Sequence, residues 1–349
     1  MQVKANIEYE KVRQIGVGQG MNSTVFLVND PQIGGILVAK EIEKSQFPNQ
    51  NYFEEAQAMF ATKHLNVVPV QYACHTNTHI SLVMPYYQNG SLATLIDTNP
   101  LPLERVIQIS QELLNGLAHI HIKKYIHFDI KPSNILFSDK NEAMIADFGQ
   151  SRSIGINGTV KCPSMYSYAL PPEFFLSNIG TIESDIYQVG LTLYRALNGN
   201  LFFKEQIPST DYELSQKIIQ GLFPNRDIFM PHVPLRLRTV IRKALKVKPY
   251  ERFSSATSLA VELGKIKISH KWCISIDPNT REIQWRASQG PNRPILAVDL
   301  LKNSNTLWDV KVYTDNNGKP QHKKTLCVNG LNYDLALKHL KKVFIKLDS

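Results

Sequence analysis

The side chains best suited to chemistry in this chain lie in residues 127–134 and at position 147. The first segment reads His-Phe-Asp-Ile-Lys-Pro-Ser-Asn and contains Asp129, Lys131 and Asn134, whereas Asp147 opens an Asp-Phe-Gly triplet. Phosphoryl transfer needs a carboxylate that orients and deprotonates an acceptor hydroxyl, a cation beside the moving phosphoryl group and oxygen ligands for Mg²⁺. These side chains supply each of those parts, and their joint spacing is hard to reach by chance. The pattern therefore indicates a phosphoryl-transfer site.

A glycine-rich segment lies well upstream of these residues. Gly18 and Gly20 open it, and it continues through Ser23 to Val25 in the pattern Gly-x-Gly-x-x-Gly-x-Val, with serine at the third glycine position. Glycines here let backbone amides approach phosphate oxygens because no Cβ stands in the way. Taken alone, a glycine-rich turn between strands is more often an ordinary hairpin. Its position ahead of the 127–134 segment favours a phosphate-binding hairpin.

An apolar run closes at Ala39 and Lys40, the usual setting of a strand lysine that holds nucleotide phosphates. Such a lysine needs a carboxylate partner. Residues 52–64 carry apolar side chains at helical spacing, with Glu54 and Glu55 on the first turns of the expected helix. We predict that Glu55 faces Lys40. Glu54 stays open as the alternative, although an acid in the first turn is also favoured by the helix dipole alone.

Across residues 9–263, these motifs resemble the eukaryotic-type (Hanks-type) Ser/Thr protein kinase family. The resemblance implies an α+β, bilobal kinase fold with an antiparallel-sheet N-lobe and a mainly helical C-lobe. It also implies that ATP is the phosphoryl donor, used with two Mg²⁺ ions or with Mn²⁺ in their place. The residues that it implies to be catalytic are Asp129, Lys131, Lys40 and Glu55, and those that it implies to bind metal are Asn134 and Asp147. The residues that it implies to bind the nucleotide are Gly18, Gly20, Ser23, Val25, Ala39, Lys40, Met84 as gatekeeper, Pro85, Tyr86 and Tyr87 as hinge, and Leu136.

Two architectural contacts also follow from the resemblance. Glu173, in a Pro-Pro-Glu segment, would pair with Arg252, and Asp185 would brace the catalytic loop.

Phe128 departs from the family pattern, because it replaces the arginine that usually precedes the catalytic aspartate. That arginine grips a phosphorylated activation loop, so a kinase without it has no obvious charge partner for a loop phosphate. We therefore expect a non-RD kinase whose activity does not depend on phosphorylation of the activation loop.

Lys131 favours serine or threonine as the acceptor, so the expected partner is a protein substrate, with autophosphorylation of the chain itself as a further expectation. Two alternatives compete with this interpretation. One is a pseudokinase scaffold, which binds without catalysing. The other is a small-molecule kinase of the aminoglycoside-phosphotransferase type, which shares the lobes and a His-x-Asp loop. The presence of Lys40, Asp129 and Asn134 argues against the first, and Lys131 and the Pro-Pro-Glu segment argue against the second.

The chain of 349 residues can hold one two-lobed kinase and a small additional domain. We predict a kinase N-lobe over residues 1–88, a kinase C-lobe over 89–264 and an accessory α+β domain over 265–349. In the last part, strands are expected over 271–276, 281–286, 295–301, 307–314 and 323–328, followed by a helix over 333–347.

The accessory domain is basic and contains every tryptophan of the chain. Residues 266–349 hold 14 Lys and Arg against 7 Asp and Glu, whereas the whole chain has a net charge of +9. Docking of an acidic partner or of nucleic acid would suit such a domain, because aromatic rings can stack on bases. A basic surface over a buried tryptophan core is the more ordinary interpretation.

The N-terminal sequence lacks the apolar segment of a signal peptide, and no apolar run is long enough for a membrane span. A cytoplasmic protein is therefore expected. The four cysteines are widely spaced and form no Cys-x-x-Cys pair, which fits reduced thiols.

Overall fold

A computed structural model describes residues 6–16, 23–46, 51–163, 168–288, 290, 293–316 and 318–348. The first part of the chain folds into a five-stranded antiparallel sheet with strand order β1-β2-β3-β5-β4. Its strands are β1 (Glu10–Ile15), β2 (Thr24–Asp30), β3 (Gly35–Glu43), β4 (Tyr72–His75) and β5 (His79–Pro85). Helix α1 (Glu54–Ala61) connects β3 to β4 and is shorter than the expected helix over 52–64. Its buried residues, Ala56, Ala58 and Met59, pack into the main core.

The next part of the chain is mainly helical. Its helices are α2 (Leu92–Leu95), α3 (Leu103–Ile122), α4 (Glu173–Leu176), α5 (Ile182–Asn198), α6 (Asn200–Lys204), α7 (Asp211–Ile219), α8 (Leu235–Ala244) and α9 (Ala256–Gly264). Three two-stranded ladders accompany them: β6 (Tyr125–Ile126) with β9 (Arg152–Ser153), β7 (Ile135–Phe137) with β8 (Ala143–Ile145), and β10 (Val160–Lys161) with β11 (Ile179–Gly180). This arrangement confirms the bilobal α+β fold.

Helix α5 is the centre of the helical lobe. Thr181 and Ser184 form a capping box at its N-terminus, and Gly199 ends it with a φ of 84°, a conformation that favours glycine. Every residue from Ser184 to Asn198 is buried. A helix that is enclosed on all sides provides fixed side chains around which the neighbouring loops can be positioned.

The last part of the chain forms a second antiparallel sheet and a helix. Its elements are β12 (Trp272–Ile276), β13 (Ile283–Ala287), β14 (Ile295–Lys302), β15 (Trp308–Asn316), β16 (Lys319–His322), β17 (Val328–Leu331) and α10 (Tyr333–Asp348). Strands β12 to β16 lie side by side in chain order, and β17 pairs with β15 next to β16.

The expected strand over 323–328 was wrong. A short 3₁₀ helix, Lys324–Leu326, occupies this segment, and strands β16 and β17 lie on either side of it. Both of these strands pair with β15, so the chain leaves the ladder and returns to it further along the same strand. Leu326 and Cys327 pack against the core instead of alternating across the sheet.

The second sheet shares its core with the helical lobe. The rings of Trp272 and Trp285 pack on Phe344 of α10, with centroids 5.2 and 5.3 Å apart. His232, in the loop before α8, is buried beside them, and Trp285 Nε1 donates a hydrogen bond of 3.2 Å to its Nδ1. Burial lowers the pKa of His232 to about 3, so its ring is neutral and can accept this bond. The tryptophans are therefore core residues, which are not available for base stacking.

None of the helices in the described ranges is long and apolar enough to cross a bilayer.

Gly116 provides a test of how the lobes are joined. A Cβ at this position of α3 would lie 2.7 Å from the Asn66 carbonyl oxygen, in the segment that connects α1 to β4. That oxygen also accepts a hydrogen bond of 2.9 Å from Ile145 N, so it cannot move freely. We expect Gly116→Ala to lower the free energy of unfolding by about 1–3 kcal/mol, although alanine favours helices. Urea titration measures the effect.

The matched control is Asn115→Ala, at an exposed neighbouring position of the same helix. It should leave the stability unchanged or raise it slightly. A Gly116→Ala protein as stable as the wild type would contradict the close approach of α3 and residue 66.

Candidate active site

The loop that carries Asp129 follows β6 and is held by hydrogen bonds to side chains of α5. The buried carboxylate of Asp185 accepts hydrogen bonds from the backbone N–H groups of His127, at 2.9 Å, and Phe128, at 2.8 Å. Gln188, one turn further along, accepts one from Ile130 N at 3.0 Å and donates one to the Phe128 carbonyl at 2.7 Å. Phe128 has a φ of 64°, an unfavourable conformation for a bulky residue. The contacts from α5 offset that cost and fix the loop.

Asp129 is held by one of its carboxylate oxygens. Its Oδ2 accepts hydrogen bonds of 2.8 Å from both Lys131 Nζ and Asn134 Nδ2, and its side chain is buried. Asn134 Nδ2 also donates to the Asp129 carbonyl, at 2.9 Å. Among the described residues, the buried Oδ1 atom of Asp129 has no hydrogen-bond partner. An oriented carboxylate with one unused oxygen is suited to accept a hydrogen bond from a substrate hydroxyl.

Lys40 on β3 contacts one carboxylate from each lobe. Its Nζ lies 2.8 Å from Glu55 Oε1 on α1 and 2.6 Å from Asp147 Oδ1. Of the two acids that the helical pattern left open, Glu55 is therefore beside Lys40, whereas Glu54 accepts a hydrogen bond from Asn51. The structure brings Lys40, Glu55 and Asp147 together from three separate elements.

The charges in this triad are strongly coupled. Burial lowers the pKa of Lys40, but Asp147 and Glu55 more than offset this, so its pKa lies above the usual value. Desolvation raises the pKa of Asp147, but contact with Lys40 and the charge of Lys131 bring it well below the usual value. The pKa of Glu55 is raised by burial, with Lys40 opposing the shift. Lys40 is thus held as a cation, and Asp147 is the more firmly ionised of its two partners.

Asn134 and Asp147 fit the donor set that Mg²⁺ prefers. Both offer side-chain oxygens, and the Asp147 side chain is 41% exposed, so one of its oxygens is accessible beside Lys40. Within the part of the chain that the structure describes, no group of three or more His, Cys, Asp and Glu side chains could hold a metal by itself. Mg²⁺ usually completes such a site with water and phosphate oxygens of the substrate.

The expected nucleotide-binding residues lie on the strands around Lys40 and on β7. Val25 on β2 is paired with Lys40, and Ala39 is buried on β3. Met84 and Pro85 end β5 opposite β3, and the partly buried Tyr86 and Tyr87 follow.

Leu136 of β7 packs against the same core as Met84 and Tyr87. Ser23 lies directly before β2, whereas Gly18 and Gly20 lie outside the described residues.

The stretch from Asp147 to Glu173 is called the activation segment here. Phe128 packs through apolar contacts against this segment and against α4 at its end, a feature that the sequence patterns missed. Its fully buried ring packs edge-on against Phe174, with the centroids 5.5 Å apart, and belongs to a cluster with Cys162. A Cβ at Gly180 would lie only 2.4 Å from this ring, so β11 can pass here only with glycine. Burial raises the pKa of the Cys162 thiol to about 12, which makes it a packing residue instead of a reactive thiolate. The sequence signal for these contacts was a phenylalanine at a position where the family usually has arginine.

The end of the activation segment is fixed by an ion pair. Arg252 donates hydrogen bonds to both carboxylate oxygens of Glu173, at 2.7 and 2.8 Å, and both residues are buried. Ser184 Oγ donates a further bond of 2.7 Å to Glu173. The pair implied by the sequence is therefore formed, and α5 supports it.

Comparison with known proteins gives a consistent result. The family model described as "Protein kinase domain" matches residues 9–263. The serine/threonine-protein kinase PrkC of Bacillus subtilis (strain 168) is 27% identical over 263 residues, which cover 73% of this chain and 40% of that protein. The probable serine/threonine-protein kinase PknB of Lactococcus lactis subsp. lactis (strain IL1403) is 27% identical over 264 residues, with 73% and 41% covered.

The serine/threonine-protein kinase PknL of Mycobacterium tuberculosis (strain ATCC 25618 / H37Rv) is 26% identical over 263 residues, which cover 72% of this chain and 64% of that protein. The aligned region therefore spans 40% and 41% of the length of the first two relatives. Because the family match covers well over half of the 349 residues, and because the matched region folds into the two lobes described above, this chain belongs to the protein kinase family.

Proposed function

We propose that this chain is an ATP-dependent serine/threonine protein kinase that transfers the γ-phosphoryl group of MgATP to protein hydroxyls. The observation that carries the proposal is the state of Asp129, whose Oδ2 is held by Lys131 and Asn134 while its buried Oδ1 has no partner among the described residues. This geometry supports an acceptor hydroxyl bound at Oδ1. The names of the relatives support serine and threonine as acceptors.

In this proposal Asp129 orients the substrate hydroxyl and takes its proton as the new bond forms. Lys131, whose Nζ lies 2.8 Å from Asp129, is close enough to neutralise charge on the phosphoryl group that moves to that hydroxyl. Lys40, held by Glu55, positions the phosphates of ATP, and the hinge over residues 85–87 receives the adenine ring. The work of the protein is thus mainly positioning and electrostatic stabilisation.

Asn134 and Asp147 are the residues that would hold Mg²⁺. The proposal includes two ions, for which Mn²⁺ is an alternative. When bound with ATP, the metal supplies positive charge to the phosphate oxygens. The low pKa of Asp147 supports this role, because the carboxylate stays ionised and available to a cation.

We further propose that activity does not require phosphorylation of the activation segment. In this chain the position next to Asp129 is occupied by Phe128, whose contacts with Phe174 and Cys162 are apolar. The short ladder between β10 and β11 and the Glu173–Arg252 pair hold the same segment at other points. These contacts exist without any phosphate, so a loop phosphate has little left to order.

The proposed partner is a protein with a serine or threonine acceptor, and the chain itself is a further candidate through autophosphorylation. A role for the C-terminal sheet in docking an acidic partner is retained as a proposal. Docking of nucleic acid by tryptophan stacking is not proposed, because Trp272, Trp285 and Trp308 are buried.

Asp129→Asn should lower the rate of phosphate transfer by about 10²- to 10⁴-fold, because the amide cannot accept the hydroxyl proton. The measurement uses γ-labelled ATP with Mg²⁺ and a generic basic acceptor protein, followed by mapping of the labelled residues. The matched control is Asp139→Asn, at an exposed position, which should retain wild-type activity.

The same assay, run also with an aminoglycoside as the acceptor, separates the competing functions. Label on serine or threonine that disappears in Asp129→Asn supports the proposed kinase. ATP binding without label on any protein would favour the pseudokinase, and transfer to an aminoglycoside but not to protein would favour the small-molecule kinase.

Protein that has been treated with phosphatase, and shown by mass spectrometry to lack loop phosphate, should keep its activity within about twofold.

Phe128→Leu should preserve activity because it retains most of the buried apolar volume, whereas Phe128→Ala should lose activity by opening a cavity next to the activation segment. Inactivity of the dephosphorylated protein, with recovery on rephosphorylation of the loop, would overturn this part of the proposal.

A further inference from the structure

A surface cavity on the helical lobe lies apart from the residues around Asp129 and Lys40. It has a volume of about 420 Å³ and lies between the loop after α7 and helix α8. Its lining comes from two short stretches of chain, Gly221, Leu222, Asn225, Arg226 and Asp227 on one side and Arg242 and Lys246 on the other. None of these residues takes part in the proposed phosphoryl transfer.

Positive charge dominates the lining of this cavity. Arg226, Arg242 and Lys246 face a single acid, Asp227. Arg242 Nη2 lies 3.1 Å from Asp227 Oδ1, but the Asp227 side chain is 89% exposed, so water screens this pair strongly. The cavity therefore keeps an excess of cationic groups that a single acid does not neutralise.

Arg226 is the most unusual of these cations. Its Nε and Nη2 atoms are buried and, within the described residues, have no hydrogen-bond partner. Burial raises the pKa of Tyr187 on α5, and this shift is opposed by the charges of Arg226 and Arg252 and by a side-chain hydrogen bond between Tyr187 and Arg226. Buried guanidinium nitrogens without acceptors are costly in a folded protein. Arg226 also lines the cavity, so an anionic ligand there would lie beside its positive charge.

The C-terminal helix brings more positive charge to the same region. Burial and the nearby Arg238 and Arg242 guanidiniums lower the pKa of Lys341 on α10. Asp227 opposes this shift, and Lys338 adds to it. Arg238 itself is held in place by hydrogen bonds to the carbonyls of Val233, at 2.7 Å, and Pro231, at 2.9 Å. Part of the basic excess of residues 266–349 is thus placed next to the cavity of the kinase lobe.

We propose that this cavity is a binding site for a phosphomonoester, held by Arg226, Arg242 and Lys246. Guanidinium groups match the oxygen geometry of phosphate, and a dianion balances the excess charge better than a single carboxylate would. The three cations converge on one cavity instead of following a track, which suits one terminal phosphate and not the repeated phosphodiesters of a nucleic acid. A phosphorylated side chain of a protein and a free phosphate ester offer the same group.

The test uses the full-length chain and two probes, a fluorescent phosphoserine peptide with acidic flanking residues and inorganic phosphate as its competitor. Binding is measured by fluorescence anisotropy at low and at physiological salt. We expect the phosphopeptide to bind, the unphosphorylated peptide to bind at least about tenfold more weakly, and affinity to fall as salt rises.

Lys246→Gln is the main variant, because Lys246 is exposed and can be changed without disturbing the fold. It should weaken phosphopeptide binding about tenfold, and addition of Arg242→Gln should weaken it further. Arg236→Gln is the matched control, since Arg236 lies on the same helix with a side chain that is 56% exposed and does not line the cavity. Thermal midpoints and transfer rates of Lys246→Gln and Arg236→Gln should equal those of the wild type. The double variant also loses the hydrogen bond from Arg242 Nε to the Arg226 carbonyl, so its binding is measured where thermal unfolding shows it to be fully folded.

Each outcome decides between sources or overturns the site. Strong binding of the phosphopeptide with weak competition by inorganic phosphate would identify a phosphorylated protein as the source. Competition by inorganic phosphate at the affinity of the phosphopeptide would identify a small free phosphate compound. Absence of phosphate-dependent binding, or binding that Lys246→Gln and the double variant leave unchanged, would refute the proposal.

Discussion

The structure of the catalytic loop depends on the buried carboxylate of Asp185. A loop of irregular backbone has N–H groups without secondary-structure partners, and burying them unpaired would be costly. Asp185 is completely buried and accepts bonds from His127 N and Phe128 N as well as one of 2.8 Å from His121 Nε2. Each charge-assisted bond offsets part of the desolvation of the carboxylate. The left-handed conformation of Phe128 and the orientation of Asp129 both follow from this arrangement.

Helix α5, which carries Asp185, and the catalytic loop each contact the activation segment, and the two interactions are of different kinds. At the N-terminus of the helix, Ser184 supports the buried ion pair of Glu173 with Arg252. Beneath the loop, Phe128 fills the space against Gly180 with an aromatic ring. An arginine in this position would present a charge to the activation segment, whereas phenylalanine presents apolar area whose burial does not depend on covalent modification. In the proposed function, this difference is the reason why a loop phosphate has little left to order.

The C-terminal sheet is an extension of the helical lobe in physical terms, because both contribute to one continuous core. Trp285, Phe344 and His232 pack together across the junction, and Ile276 N donates a hydrogen bond of 2.8 Å to Asn99 Oδ1 further along it. The packing of Phe344 at this junction is accompanied by the placement of Lys341 of α10 near Arg238 and Arg242 of α8. The segment that lines the cationic cavity also holds Arg252, whose Nε donates a bond of 2.8 Å to the Lys246 carbonyl. The chain around Lys246 therefore supports both the cationic cavity and the Glu173–Arg252 ion pair at the end of the activation segment.

The sequence by itself determined the family, the bilobal fold and the identity of the polar groups around Asp129, because those groups lie in short motifs whose spacing is read directly from the chain. It left open which of Glu54 and Glu55 pairs with Lys40. Both occupy the first turn of α1, and helical periodicity does not fix the rotation of a helix against a distant strand. It also assigned one strand to residues 323–328, where a 3₁₀ helix instead separates two short strands that both pair with β15. The partners of Phe128 and the proximity of Arg242 to Lys341 were decided only by tertiary structure. These residues are far apart in the chain, and contacts between them arise when separate elements pack on α5 and on the shared core.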